Sequence, residues 1–293
     1  MVFFEIFEFG FMQHAIIAGV AVAISCSIIG LFLVLRRQSL FGDAMSHAAF
    51  GGIAIGLFTN VYPIWTALIV AVCSALGITK LQQSTKVISP DSAVGILLSS
   101  GLAVGIVLIG LSGGFTLDLY SFLFGSILLI NNQDVWTISI LSIVILLIIF
   151  IIYRKLVYIT FDEEQATVSG INAEYINYLF IVLASITVIT SIRLVGVLLI
   201  SSLVVIPNIT AIMFGKGFKK TIAISVSLSV FSVVTGIIIS FILNLAPGGT
   251  IVLTSIFTFF STISVKYLIK IKKRLGADTD SHAATLIANS KNE

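Results

Sequence analysis

The sequence contains few charged residues: Asp, Glu, Lys and Arg make up 10% of its 293 residues, whereas soluble globular proteins carry about 25%. Hydrophobic residues make up 58% of the chain, and the mean hydropathy is +1.16. A chain of this composition cannot cover a water-exposed surface with polar side chains. The composition therefore excludes a soluble enzyme of about two domains, which the length alone would favour.

Cysteine and catalytic motifs are also scarce. The two cysteines, Cys26 and Cys73, both lie in apolar runs, so the sequence has no disulfide framework and no zinc-finger spacing. The only Gly-Lys pair, Gly215-Lys216, lacks the preceding glycine of a Walker A motif, and there is no nucleophile elbow or HExxH motif. We expect no catalysis by this chain alone, no permanently bound cofactor and no nucleic-acid partner. Any ATP hydrolysis that drives it should reside in a separate subunit.

The chain is built from apolar runs of about 20 residues, the length that crosses a ~30 Å hydrocarbon core. Nine runs cover 12–35, 39–58, 61–80, 93–112, 134–153, 173–191, 194–214, 222–243 and 250–269. A shorter run at 119–130 lies between glycine and asparagine pairs, which predicts a re-entrant or interfacial segment. The predicted fold is an all-α, polytopic transmembrane helical bundle of about eight to ten spans.

The basic residues predict the orientation of this bundle. All but one of the basic residues that lie between spans fall on the same side of the predicted topology, and Arg193 is the exception. Because cytoplasmic loops are enriched in Lys and Arg, we expect the N-terminus outside and the C-terminus in the cytoplasm. Residues 1–275 are predicted to form a transmembrane domain, and the polar segment 276–293 a disordered cytoplasmic tail.

One pair of ionisable residues lies inside a predicted span. Asp43 and His47 are four positions apart and therefore share one helix face. A carboxylate and an imidazole suit a divalent transition metal, and ionisable groups within a membrane are functional candidates. Counted from Arg37 at the interface, His47 would lie about 15 Å deep, near the midplane.

A structural role for the same pair stays open. Asp43 could cap the second span, and His47 could be a buried neutral imidazole bonded to a neighbouring helix. Two ligands are also too few for a closed metal site. A metal pathway would need partners from other helices, from water or from a second subunit.

The longest connection between spans, 154–173, also has a recognisable pattern. Acidic residues Asp162, Glu163 and Glu164 are followed by helix-forming residues and then by Gly170. This order predicts a short amphipathic helix, which could dock a cytoplasmic partner. A solvated linker fits the pattern equally well.

Several segments resemble the integral-membrane permease subunit of the zinc/manganese ABC transporter family. They are Phe11 to Ala15, Leu33 to Ala48 with its Gly-Asp-Ala-Met-Ser-His block, Leu123 to Ile127, Asp162 to Gly170, Val195 to Leu199 with Pro207, and Pro247 to Leu253. They occur in the order seen in the family and cover nearly the whole chain before the tail. The Gly-Asp-Ala-x-Ser-His block is the most specific of them.

The resemblance implies a multi-pass plasma-membrane protein that pairs with a second copy of itself and with a cytoplasmic ABC ATPase dimer. It also implies delivery of Zn²⁺ or Mn²⁺ by an extracellular metal-binding protein. Asp43 and His47 would handle the metal, and segment 162–174 would couple to the ATPase. Asn208, which follows Pro207 where small residues are usual, could line the pathway or satisfy a backbone group freed by the proline.

Two other functions are compatible with parts of this sequence. A stand-alone secondary transporter often has two related halves, and no repeat of the Asp43 block occurs in the second half. An ABC permease for an iron chelate or for cobalamin would carry a bulky cargo that needs no Asp–His pair within the membrane. Both remain alternatives at the level of sequence.

Overall fold

The computed structural model describes residues 9–84, 90–112, 114, 117–127 and 130–290. Within these ranges every regular element is a helix. In chain order the helices are α1 (Gly10–Leu35), α2 (Phe41–Thr59), α3 (Pro63–Ser84), α4 (Pro90–Leu111), α5 (Leu117–Phe124), α6 (Asn132–Phe161), α7 (Glu163–Val168), α8 (Ala173–Val195), α9 (Ile200–Met213), α10 (Phe218–Leu243) and α11 (Pro247–Ser290).

The nine predicted apolar runs correspond to all of these helices except α5 and α7. Seven helices in the described ranges are long and apolar enough to cross a membrane. The other two differ for visible reasons: α9 has only 14 residues, and α2 includes Asp43 and His47, which lower its hydropathy. The predicted all-α, multi-span bundle is confirmed.

One predicted span begins too early. The run 194–214 was expected to be a single helix, but residues 194 and 195 end α8, and α9 begins only at Ile200. Between them, Gly196 adopts φ +85°, a conformation that side chains disfavour and that breaks the helix. The sequence reads as one run because the residues on both sides of this turn are apolar.

The C-terminal helix extends into the segment for which the sequence predicts a tail. α11 continues through Ser290, and the assignment of 276–293 to a disordered cytoplasmic tail stays a prediction. The segment contains several alanines together with Leu286, and alanine and leucine favour helix strongly. Gly276 lies inside the helix and does not end it.

Helix α2 packs tightly against α3 and α4 because small residues line the contacts. A Cβ atom at Gly52 would come within 2.6 Å of Ala67 Cα on α3, and one at Gly105 on α4 would come within 2.5 Å of the Phe50 ring. The contact surface therefore has no room for larger side chains. α2 is thus held between its two neighbours.

The remaining long helices gather around α1. α1 packs against α6, α8, α9 and α10, and α11 packs on α10. Hydroxyl groups contribute to this packing, since Ser27 donates to the Ser225 hydroxyl at 2.7 Å and Ser229 donates to the Ala23 carbonyl at 3.1 Å. α8 contacts both α1 and α2, so it joins the two groups of helices.

The two ends of the bundle carry different charges. We call the end at Arg36, Arg154, Lys216 and Lys219 the basic end, where Phe218 of α10 packs on Phe32 and Phe161. We call the opposite end, at the last turn of α8, the far end.

The far end is held by one ionic cluster. Arg193 lies 3.7 Å from the Asp134 carboxylate, which is 3% exposed. The Tyr62 hydroxyl donates to Asp134 at 3.0 Å and accepts from Arg193 at 3.1 Å. Burial raises the pKa of Tyr62; Arg193 opposes the change, and the hydrogen bond to Asp134 adds to it. The cluster ties the start of α6 and the residue before α3 to the end of α8.

Candidate functional site

Asp43 and His47 interrupt the buried surface of α2. The residues around them, Phe41, Gly42, Ala44 to Ser46 and Ala48 to Ala54, are all buried. Asp43 and His47 are each partly exposed, and their spacing of four places them one above the other. The predicted shared face is therefore the one open stripe along this part of the helix.

The polar atoms of the pair make few contacts. His47 Nδ1 is buried and has no hydrogen-bond partner in the described part of the chain. The Asp43 carboxylate is close enough to act electrostatically on the His47 ring. Since buried polar atoms are normally satisfied, the His47 ring is a candidate ligand rather than part of a completed hydrogen-bond network.

Asp43 does not cap α2 with its side chain. The N-cap residue is Leu40, and Asp43 lies within the first turn. A carboxylate in the first turn is favoured by the helix dipole, but it makes no cap hydrogen bond here. The capping role weighed for Asp43 is therefore not seen, and its oxygens are open to another partner.

The depth estimated for His47 needs correction. The chain from Arg37 to Leu40 forms a turn in which Arg37 has φ +58°, so the helical rise begins at Phe41 and not at Arg37. His47 therefore lies about 9 Å along α2, and Asp43 about 3 Å. Both residues lie nearer to the basic end of the bundle than the residue count suggested.

Asp43 and His47 have no third ligand of these types beside them in the described part of the chain. No group of three or more His, Cys, Asp and Glu residues that could hold a metal occurs among the residues that the structure describes. Two ligands leave coordination positions to be filled from elsewhere. The open stripe on α2 can be reached by such a partner, because Asp43 and His47 are both partly exposed.

Asn208 of α9 is completely buried, and it faces α1 and α10. Its amide donates to the Val204 carbonyl at 2.6 Å, and its oxygen accepts from the Ser225 hydroxyl. Gly30 of α1 leaves the space that the Asn208 amide occupies. The carbonyl that Pro207 deprives of its helical donor is that of Leu203, so the bond to Val204 is not the backbone role considered for Asn208.

The predicted amphipathic segment contains a short helix at the basic end. Asp162 caps α7 by accepting from the Gln165 amide at 2.8 Å, and Gly170 ends the segment at φ +84°. Ala166 is buried, whereas Glu163 and Glu164 are exposed. The large side chains of Phe161 and Val168 are 65% and 89% exposed, so apolar surface is open beside the acidic residues.

The sequence did not point to the residues that hold α7 in place. Asn177 of α8 donates to Glu163 at 2.7 Å and accepts from Arg36 Nη1 at 2.8 Å. Arg36 Nε also donates to Thr160 of α6 at 3.0 Å. Arg36 lies at the end of α1, and no spacing rule relates it to partners more than a hundred residues away.

Arg36 keeps its charge in this position. Burial lowers the pKa of its guanidinium to about 10, and the Glu163 carboxylate acts in the opposite direction. The guanidinium also lies over the Phe180 ring, 4.8 Å from its centroid. The group is therefore a cation at neutral pH, and its hydrogen bonds are of the stronger, charge-assisted kind.

A multi-pass helical bundle that leaves a carboxylate and an imidazole partly exposed on one helix has the features of a membrane transporter for ions. The model of the ABC 3 transport family matches residues 8–266, so the chain belongs to that family. It is a permease subunit of the zinc/manganese type of ABC transporter, as the sequence motifs predicted.

Relatives of known description support this assignment. The manganese transport system membrane protein MntC of Listeria innocua is 33% identical over 261 residues, which is 89% of this chain and 92% of the relative. The manganese import system permease protein ScaB of Streptococcus parasanguinis is 34% identical over 248 residues, or 85% and 88% of the two chains.

A solved structure has the same fold. It is described as PsaBC from Streptococcus pneumoniae in complex with Fab, and its matching chain is 33% identical with a TM-score of 0.78. The match covers 87% of this chain and 91% of that chain. The protein is therefore a multi-pass membrane permease of a metal-importing ABC system.

Proposed function

We propose that this permease imports manganese and that Asp43 and His47 bind the ion during its passage. The observation that carries the proposal is the open stripe on α2, where two ligand-type side chains remain partly exposed on an otherwise buried helix. The relatives are named for manganese, and a carboxylate with an imidazole suits this ion. Zinc, which accepts the same ligands, is the second candidate cargo.

A second copy of the chain would complete the pathway. Asp43 and His47 supply two ligands, and a symmetric partner whose own pair faces them would supply two more. A carboxylate exposed to lipid would be costly, so the α2 stripe must face protein or water. We therefore propose a homodimer in which the two α2 stripes face one pathway.

The basic end would contact the ATPase. Positive residues favour the cytoplasmic side, and this supports our assignment of α7, together with Arg36 and Lys216, to the cytoplasm. The segment Asp162 to Gly170 combines an acidic start with exposed apolar side chains at Phe161 and Val168. Such a surface suits a protein partner, and we assign it to a cytoplasmic ATPase dimer. The far end would then receive the metal from an extracellular binding protein.

The cargo test is uptake of radioactive manganese by cells that lack their own high-affinity manganese and zinc importers. The cells express this chain with its ATPase and binding protein, either as wild type or as Asp43→Asn or His47→Gln. We expect the wild type to take up the label and unlabelled manganese to compete with this uptake. Each substitution should nearly abolish the uptake. His14→Gln on α1 is the matched histidine control and should transport normally.

The outcomes separate the alternatives. If zinc inhibits uptake of the label at a lower concentration than unlabelled manganese does, the cargo is zinc. Normal uptake by Asp43→Asn and His47→Gln, at equal membrane levels, would show that the pair is structural. Uptake that continues without any ATPase subunit would favour a stand-alone secondary transporter, and uptake of an iron chelate or cobalamin in place of free ions would favour that other class of ABC permease.

A further inference from the structure

Arg36, Asn177 and Glu163 form a continuous hydrogen-bonded connection from α7 to the end of α1, next to the turn that leads into α2. Glu163 is on α7, Asn177 is on α8, and Arg36 is the C-cap of α1, one residue before the turn that leads into α2. The two bonds measure 2.7 and 2.8 Å. We propose that this connection, the Arg36 relay, transmits ATP-driven movement of α7 to the Asp43–His47 pair.

The direction of each bond determines how the relay acts. The Asn177 amide has its oxygen toward the Arg36 guanidinium and its NH2 group toward the Glu163 carboxylate. An amide held between a cation and an anion cannot rotate without breaking a charge-assisted bond at each end. A displacement of Glu163 therefore moves Asn177 and, through it, Arg36.

The turn after Arg36 is suited to pass this movement on. Residues 36–40 separate α1 from α2 and include Arg37 at φ +58°. Gln38 donates to the Leu33 carbonyl at 2.8 Å, so the turn is bonded to the last turn of α1. Asp43 lies only three residues beyond Leu40, so a shift of this turn changes the position of the first metal ligand.

The surroundings of Arg36 leave space for such a shift. A cavity of about 370 Å³ is lined by Arg36, Gln38, Thr79, Thr160, Glu163 and Asn177. Arg36 Nη2 is buried and has no hydrogen-bond partner in the described ranges. The guanidinium therefore has a free donor and adjacent room, which allow a second arrangement of the relay.

The relay rests on the proposed function, because it assumes that an ATPase docks at α7. We would test it with the permease–ATPase complex reconstituted in liposomes, comparing wild type with Asn177→Ala. We expect Asn177→Ala to keep its ATP hydrolysis. Metal import per ATP should fall roughly tenfold, which is the size of effect that the loss of a hydrogen bond to a charged group produces. Asn177→Gln keeps an amide between the two charged groups and should recover part of the import per ATP, whereas Asn177→Leu should resemble Asn177→Ala. Ser227→Ala, which removes an exposed hydroxyl that bonds only within α10, is the control.

A second measurement does not depend on the cargo. Leu40 is 55% exposed at the start of α2, so Leu40→Cys in a Cys73→Ser background offers one accessible thiol, since Cys26 is buried. We expect ATP to change the rate at which a maleimide labels this thiol in the detergent-solubilised complex. Asn177→Ala should abolish that change.

The outcomes distinguish the relay from the proposed function. If the wild-type complex imports neither manganese nor zinc but ATP still alters labelling at position 40 through Asn177, the cargo is wrong and the relay stands. If Asn177→Ala retains both normal import per ATP and ATP-dependent labelling, the relay is wrong. A parallel loss of hydrolysis, import and thermal stability would show a purely structural role and would also overturn it.

Discussion

Gly101 on α4 lies directly against the main-chain carbonyl of His47 on α2, so closely that a Cβ atom at position 101 would overlap the carbonyl oxygen. Gly51 of α2 faces the same glycine, with its own Cβ position 3.0 Å from the Gly101 carbonyl oxygen. The backbone that carries Asp43 and His47 is thus set by a contact between two helices that only glycine allows.

Gly101→Ala should therefore disturb α2 at Asp43 and His47. We expect a loss of about 1–3 kcal/mol in the free energy of unfolding, typical of overpacking, together with reduced metal uptake. Gly95→Ala on the same helix is the matched control, because nothing lies within 4 Å of its Cβ position. Thermal unfolding in detergent and manganese uptake measure both effects. Equal stability and uptake for the two alanine variants would contradict the role of this contact.

Much of the bundle was predictable because nearly every residue of a membrane span is apolar. Each run must supply about 20 apolar residues, so the sequence alone located the long helices. The shared face of Asp43 and His47 was predictable from their spacing of four on one helix. Both features depend only on neighbours along the chain.

Features that depend on distant partners were not predictable. Arg36 could be counted as a positive residue at the interface, but its bonds to Thr160 and Asn177 join residues 124 and 141 positions apart. The turn at Gly196 lies within an apolar run, where a glycine in a helix and a glycine in a turn look alike. The depth of His47 was misjudged because residues 37–40 form a turn whose shape depends on Arg37 at φ +58°.

The ionic cluster at the far end should contribute to stability. Arg193→Met leaves Asp134, which is 3% exposed, without its nearest cation, and we expect a loss of about 1–3 kcal/mol. Asp134→Asn in the Arg193→Met background should recover part of this loss, because the buried charge is gone. Tyr62→Phe removes hydrogen bonds only and should cost about 1 kcal/mol. Denaturation in detergent gives the ranking. If Arg193→Met and the double variant Arg193→Met/Asp134→Asn lose the same free energy of unfolding, Arg193 and Asp134 are not coupled.

Asn208→Ala separates the two roles considered for that residue. If its amide serves only the interior of the bundle, the variant should lose about 1–3 kcal/mol of stability, because the Ser225 hydroxyl loses its acceptor. Manganese uptake per folded molecule should then be unchanged. Ser227→Ala on α10 is the control, since its exposed hydroxyl bonds only to its own helix, and it should be neutral within about 0.5 kcal/mol. A selective loss of uptake in Asn208→Ala, at normal stability, would place Asn208 in the pathway.

Gly196 lies where α8 ends. Its substitution should lower the stability of the protein by far more than its positive φ alone implies. A Cβ atom there would overlap the Leu123 carbonyl oxygen and come within 2.6 Å of the Gly125 amide nitrogen. Gly170 has nearly the same φ, +84° against +85°, but nothing lies within 4 Å of its Cβ position. Gly170→Ala therefore measures backbone strain alone, on the order of 1–3 kcal/mol.

Gly196→Ala causes the same backbone strain and, in addition, an overlap with the end of α5 and with Gly125. We expect it to lower the unfolding temperature clearly more than Gly170→Ala does, or to prevent accumulation of folded protein in the membrane. The overlap would separate Val197 from the Phe122 carbonyl, to which its amide now donates at 2.9 Å. Thermal unfolding of the two purified variants in the same detergent measures the difference. Equal unfolding temperatures would mean that the contact between α5 and the end of α8 is loose enough to yield.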